Sequence, residues 1–404
     1  MTIVIICDYA FIKGGDTKVA ITSAKALQKR GYKVICFAGV EPIDEEMLNI
    51  GVEVICTKQF DILNNENRLY ASLQGIWNYR AQVKLSNLLK GLDKKHTIIH
   101  VHSVVKALSP SIYKILEREG FKVVCTLHDY FLACPNGSFY DFQNNHICNL
   151  IPLSAKCILR NCDSRRYGHK LWRLGRACIQ KYYYKIPRKL KYFITLSDLS
   201  KKILRRYLPQ NAYFYKVNNP IDVNKEHPVN IVGNNYFAFV GRLSREKGVE
   251  MLAETSKKIK RKIVFIGDGP LRNKIEKINP NIMITGWKDK KEINELLQSA
   301  RALIFPSLWY ETSGLVVLES AALGLPAIVP DTSASKELVR NNVTGLWFRG
   351  GDIMELINKI NLLEDTSYAK KLGKAAYENY WNSPFTIDRH VNNLEFVYND
   401  ILNR

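Results

Sequence analysis

Short runs of β-branched and other apolar residues, each followed by a helix-length amphipathic segment, recur almost from end to end of this 404-residue chain. In the first half they read IVIIC, KVICFAG, VEVIC, TIIHVH, KVVCTLH and KYFITLS; in the second, YFAFVG, KIVFIG, IMITG, ALIFP, PAIV and TGLWF. Strands that are apolar on both faces belong to parallel sheets covered by helices on either side. Two such series predict an α/β protein of two doubly wound, Rossmann-like domains. The expected division is 1–217 and 218–380, because a new strand series starts after the polar stretch DVNKEHPVNIVGNN. A last helix within 381–404 is expected to cross back to the first domain. Open sheets of this kind bind ligands beyond the carboxyl ends of their strands, so two facing domains would place a site in the cleft between them.

Composition narrows the class. Apolar residues make up 46% and charged ones 24% of the chain, as in ordinary globular proteins. No run of about 18 apolar residues appears. The opening MTIVIICDYA runs straight into a strand and lacks the basic n-region of a secretory signal, so a cytosolic location is expected. Nine cysteines there do not form a disulfide framework. Cys7, Cys36, Cys56 and Cys125 sit inside apolar runs and read as core residues.

The net charge of +21 is unevenly spread. Between Ile151 and Lys216, seventeen lysines and arginines stand against Asp163 and Asp198 alone, interleaved with Trp172 and many tyrosines. Basic residues mixed with aromatics over 156–216 suit an anionic membrane surface. Arg165, Arg166, Lys170, Trp172, Arg173 and Arg176 are the candidates for membrane or acceptor docking. The same composition suits nucleic acid, but no nucleic-acid module accompanies it. A merely solvated helix face is the plain alternative. The irregular insertion over about 130–165 holds Cys134, Cys148, Cys157 and Cys162, with His146 nearby. Four thiols there would suit a structural zinc ion, or else pack a small satellite core.

Four blocks carry the candidate chemistry. DYAFIKGGDTKVAITSAKAL places Gly14 and Gly15 at a helix start, open to a phosphate, with Thr17 as a candidate cap. It is neither a GxGxxG fingerprint nor a Walker A loop. FVGRLSREKGVEML sets Arg242 and Lys247 beside Gly241 and Gly248 after a strand, a pair of cations suited to a diphosphate. VFIGDGPL is a strand entering a tight glycine turn. PSLWYETSGLVVLESAALGLPAIV puts Glu311 in a loop and Glu319 in the helix that begins near Gly314, where carboxylates can accept hydrogen bonds from sugar hydroxyls and backbone amides can meet an anion.

In this order, Gly14-Gly15, GRLxxxKG, GDGP and Glu311-x7-Glu319 resemble the family 4 retaining glycosyltransferases of GT-B architecture. The resemblance covers nearly the whole chain. It implies that Glu319 holds the ribose of a nucleotide-sugar donor, a UDP- or GDP-sugar, while Glu311 faces the donor sugar. It further implies that Arg242, Lys247 and the amides near Gly314 and Leu315 neutralise the diphosphate, and that the loop at Gly15 closes over it. His128, in TLHDYF, matches a histidine that contacts the donor sugar. Ser197 fits a family position and equally a helix cap. Where many members carry Gly-Phe after the first glutamate, this chain has Thr312-Ser313, which leaves donor-sugar preference open. Trp287 and Lys288 are candidates near the nucleobase, although a tryptophan after a strand is more often core.

The implied reaction is transfer with retention and without a catalytic metal, onto a lipid-linked saccharide of a bacterial surface polysaccharide, at the inner face of the plasma membrane. A GT-B-fold nucleotide-sugar epimerase, a basic nucleic-acid-binding protein and an inactive relic are the alternatives.

Overall fold

The computed structural model describes all 404 residues, which form two compact units. The first comprises 1–138, 150–220 and 386–404; the second comprises 139–149 and 221–385. Each is an α/β unit around one parallel sheet.

The first unit's sheet contains β1 (Thr2–Tyr9), β2 (Lys33–Val40), β3 (Glu53–Cys56), β4 (Thr97–Val101) and β5 (Lys122–Thr126). After the two short strands β6 (Tyr140–Asp141) and β7 (His146–Ile147) come β8 (Tyr192–Thr195) and β9 (Tyr213–Lys216). The sheet order is β3-β2-β1-β4-β5-β8-β9, with every pair parallel. Ile3, Val4, Ile5, Ile6 and Cys7 are all fully buried, which is why β1 reads as a continuous apolar run instead of an alternating one.

The second unit's sheet runs β12-β11-β10-β13-β14-β15. Its strands are β10 (Tyr236–Val240), β11 (Lys262–Ile266), β12 (Met283–Ile284), β13 (Leu303–Ile304), β14 (Ala327–Pro330) and β15 (Gly345–Phe348). In both sheets the chain first winds outward to one side and then returns to the other side of its first strand. That reversal lies between β1 and β4 in the first sheet and between β10 and β13 in the second. Helices on either side diverge there, and a crevice opens at the carboxyl ends of the strands.

The insertion is not wholly irregular. β6 and β7 form an antiparallel hairpin within Phe139–Asn149, which belongs to the second unit, where Arg245 Nη1 donates to the Phe142 carbonyl at 2.8 Å. Trp381 lies inside the helix Thr366–Asn382, its indole N–H on the Ala322 carbonyl at 2.9 Å, so that stretch stays with the second unit. The helix that returns to the first unit is Ile387–Asn403, capped by Thr386. It buries Val391, Leu394, Val397, Tyr398 and Ile401 in the first unit's core.

Candidate active site

In the second unit, β10 ends at Val240, and Gly241 leads into Arg242. The Leu243 amide bonds to the Asp268 carbonyl at 3.0 Å, clamping the loops after β10 and β11 together. Gly267 makes this clamp possible: its φ is +140°, and a Cβ there would stand 2.1 Å from the Gly241 carbonyl oxygen. Gly248, at φ +71°, lets the next turn press equally close against the Pro306 carbonyl beyond β13. These contacts bring the Lys247 turn against the segment Ser307–Glu311.

Lys247 Nζ lies 2.7 Å from Glu311 Oε2. The same oxygen accepts from Ser307 Oγ at 3.0 Å and from Trp309 Nε1 at 2.9 Å. Three donors thus fix one carboxylate oxygen, and the Lys247 ammonium also stands 5.8 Å from the centre of the Trp309 ring. Arg242 is exposed and makes no ion pair. The helix Leu315–Ala322 starts at Gly314, and Glu319 sits in its second turn. Free amides at such a start favour an anion. Two cations, a fixed carboxylate and a helix start therefore share the switch point of this sheet. Ser307 and Trp309 are members that sequence reasoning missed; their only signal was proximity to Glu311.

Trp287 is 80% exposed instead of core, and Lys288 is paired with Glu292 at 2.6 Å. Neither is drawn into the cluster by any contact.

The first unit places its own candidates at the corresponding switch point. Gly14 is the N-cap of the helix Gly15–Lys29. Thr17 closes the box from inside the helix, its hydroxyl accepting from the Lys13 and Gly14 amides at 2.9 and 3.0 Å. Nothing stands within 4 Å of a Cβ built on Gly15, so the turn is open above that residue. At the ends of β4 and β5, three histidines stack. His102 Nδ1 lies 2.8 Å from His128 Nε2, and the ring centres of His102 and His100 are 4.1 Å apart. Burial lowers the His128 pKa to about 4 and the His100 pKa to about 3, so both rings are neutral at physiological pH. Asp16 is held below the ordinary carboxylate range: burial opposes this, but the Lys106 charge and hydrogen bonds from Ser103 and the Thr17 amide outweigh it. The pattern HVH in TIIHVH puts His100 and His102 on one face of the strand, and reading it as period 2 would have found them. Ser197 caps the helix Asp198–Arg205, accepting from the Ser200 amide at 3.1 Å.

The zinc expectation is corrected. No group of three or more His, Cys, Asp or Glu side chains is placed to hold a metal ion. Cys148 lies in the second unit's hairpin. Between Cys157 and Cys162 stands the fully buried Lys170, its Nζ 3.2 Å from Cys162 Sγ and 3.6 Å from Cys157 Sγ. An ammonium thus stands beside these two thiols. Lys170 accordingly faces the interior and does not belong to a docking surface.

Residues 13–225 match the family described as Glycosyltransferase Family 4, and residues 222–379 match Glycosyl transferases group 1. The chain belongs to glycosyltransferase family 4. This family 4 chain is 33% identical over 146 residues to the sulfoquinovosyl transferase SQD2 of Arabidopsis thaliana, covering 34% of this chain. It is 27% identical over 193 residues, 44% of this chain, to an Escherichia coli UDP-Gal:alpha-D-GlcNAc-diphosphoundecaprenol alpha-1,3-galactosyltransferase. The matches span 28% and 49% of those relatives' own lengths. Anabaena HepE, solved in complex with UDP, superposes over 99% of this chain and 100% of its own, with a TM-score of 0.68 at 16% identity. That likeness shows the fold that the family 4 chain shares.

Proposed function

We propose that this family 4 chain transfers a sugar, with retention at the anomeric carbon, from a nucleoside diphosphate sugar to a saccharide carried on a lipid. The observation that carries this reading is the constellation at the β10/β13 switch point, where Arg242 and Lys247 stand beside a carboxylate locked by three donors. Breaking the bond between sugar and diphosphate develops negative charge on the leaving phosphate. Fixed cations and helix-start amides stabilise that charge best because they are already oriented. Arg242, Lys247 and the amides at Gly314 and Leu315 take this role, so neutralisation of the diphosphate is assigned to the protein's own groups and not to a metal. Glu311 keeps Oε1 for the sugar while Oε2 is held, and Glu319 takes the ribose. Within the first unit, neutral His128, with a ring nitrogen suited to a sugar hydroxyl, and the open turn at Gly15, suited to a phosphate, are the corresponding candidates.

A uridine nucleotide is the donor favoured by the names of the Escherichia coli relative and of the HepE complex. The diphosphoundecaprenol in the former name favours a lipid-linked acceptor and, with it, surface polysaccharide assembly at the cytoplasmic face of a membrane. No helix is long and apolar enough to cross a membrane, so contact with the lipid falls to surface residues.

The test is thermal-shift titration with UDP-, GDP-, ADP- and TDP-sugars, on the wild type and Glu319→Ala. Donor at about 100 Kd should stabilise the wild type by roughly 2.7 kcal/mol, and Glu319→Ala should lose most of that shift. Absence of a shift with every nucleotide sugar would remove the donor site. Conversion of donor without acceptor would identify an epimerase instead.

A further inference from the structure

One face of the helix Tyr167–Cys178 carries His169, Trp172, Arg173 and Arg176, the i, i+3, i+4, i+7 stripe of a single helix side. That stripe lines a pocket of about 520 Å³ in the first unit, opposite the helix Arg68–Gln74. Arg68, Lys106, Arg165 and Arg166 complete the charged lining, while Ile62, Leu63, Val105 and Phe131 supply apolar wall. Arg176 is the deciding residue of this lining. It is only 4% exposed, its guanidinium lies 4.9 Å from the Trp172 ring and 5.1 Å from the Phe131 ring, and its one hydrogen bond is from Nη1 to the Val105 carbonyl. It makes no direct ion pair; Asp129 and Asp8, the opposite charges it feels, act on it only through space. Arg173 is paired with Asp163 at 3.1 Å, but Arg68, Lys106, Arg165 and Arg166 join Arg176 in the lining, which therefore carries an excess of positive charge suited to an anion from outside.

The rim indicates the source of the anion. On the helix Arg68–Gln74, Leu69, Tyr70 and Leu73 are 74%, 54% and 60% exposed, next to the pocket-lining Arg68, Ala71 and Ser72. Leu171 and Leu63 are half exposed on the same lining elements. A soluble phosphate needs no apolar collar, whereas a lipid headgroup arrives with a hydrocarbon surface around it, where apolar and aromatic side chains are stable. We propose that this pocket binds the diphosphate of a membrane-resident lipid diphosphate, the carrier on which the acceptor saccharide is presented, with Leu69, Tyr70, Leu73 and Leu171 dipping into the bilayer surface. The pairing of Arg with phosphate oxygens is bidentate and so fixes the carrier's register, which in turn fixes how far the saccharide reaches. The proposal rests on the transferase reading and adds where its acceptor is held.

The experiment is co-sedimentation of the full chain with phosphatidylcholine vesicles, with and without polyisoprenyl diphosphate, and with phosphatidylglycerol vesicles at matched surface charge. Wild type should bind the polyisoprenyl diphosphate vesicles at least about tenfold more tightly than either other kind, and Arg176→Gln should lose about tenfold, or 1.4 kcal/mol. Because Arg176 is buried, the exposed Arg166→Ala serves as the second variant, with a loss in the same direction and an unchanged donor-induced thermal shift. Equal binding to the phosphatidylglycerol vesicles, or full binding by both variants, overturns the pocket. Stabilisation by inorganic diphosphate without any preference for the lipid form overturns the membrane source. If the donor still stabilises the protein in those cases, the transferase reading stands and only the pocket falls; if the donor fails too, both fall.

Discussion

At the scale of single residues, Glu311 and Lys247 define what the second unit can do. They are 64 positions apart, yet their side chains meet because Gly248 and Gly267 let loops close to distances no Cβ would tolerate. Lys247→Ala should lower kcat/KM by about 10² to 10³, since it removes a cation from the leaving group and a donor from the carboxylate. Glu311→Gln preserves shape but breaks the ion pair, and should lower kcat with a smaller change in donor affinity. Steady-state kinetics with the donor found by thermal shift would separate the two, and a Glu311→Gln enzyme at wild-type kcat would refute its role. Much of this cluster was readable in the order of motifs, because each motif lies at the end of an apolar run. Ser307 and Trp309 were not readable, since hydrogen bonding to one oxygen depends on loop path and leaves no periodic trace.

At the scale of elements, the ends of β4 and β5 hold four histidines together with the helix Ile387–Asn403. His390 Nε2 lies 2.9 Å from Ser23 Oγ, and His100 Nδ1 lies 2.7 Å from Tyr398 Oη. Burial lowers the pKa of His100 to about 3, of His128 and His390 to about 4, and of His102 well below the ordinary value. A depressed pKa means that the unfolded chain takes protons the folded unit refuses. The stability is therefore complete above about 6.5 and is lost as pH falls toward 4, roughly 2 kcal/mol each for His100, His128 and His390 by pH 5. Asp8 and Asp129 act in the opposite sense, since burial raises both to about 6, and each recovers only about 1.4 kcal/mol over the same window. The histidines win. Melting of the first unit should move to lower temperature between pH 7 and pH 5, and His100→Gln with His390→Asn should flatten the slope; a slope unchanged in the double variant would refute the assignment. Strand and helix positions could be read from periodicity, but this cluster joins residues up to 367 positions apart. Only the sheet order brings them together.

At the scale of the whole molecule, the first unit is discontinuous. Its core includes the buried face of residues 387–403, whose five apolar side chains contribute, at about 1.5 to 3 kcal/mol each, roughly 8 to 15 kcal/mol. That rivals the entire stability of a domain. Removing residues 386–404 should leave the second unit folded and the first without a cooperative melting transition, as calorimetry would show; two intact transitions would contradict it. The last helix was legible as a helix. What Trp381 did not reveal was that its own turn stays behind, since an indole on a carbonyl of the second unit looks, in sequence, like any other aromatic. The arrangement also sets a timetable. A ribosome adding about 5 to 20 residues per second needs roughly 10 to 30 seconds to pass from residue 220 to residue 386. Throughout that interval the newborn first sheet waits with one side uncovered, while the second unit can finish unaided. The nascent chain is thus most exposed to aggregation late in synthesis, and the half begun first is the half completed last.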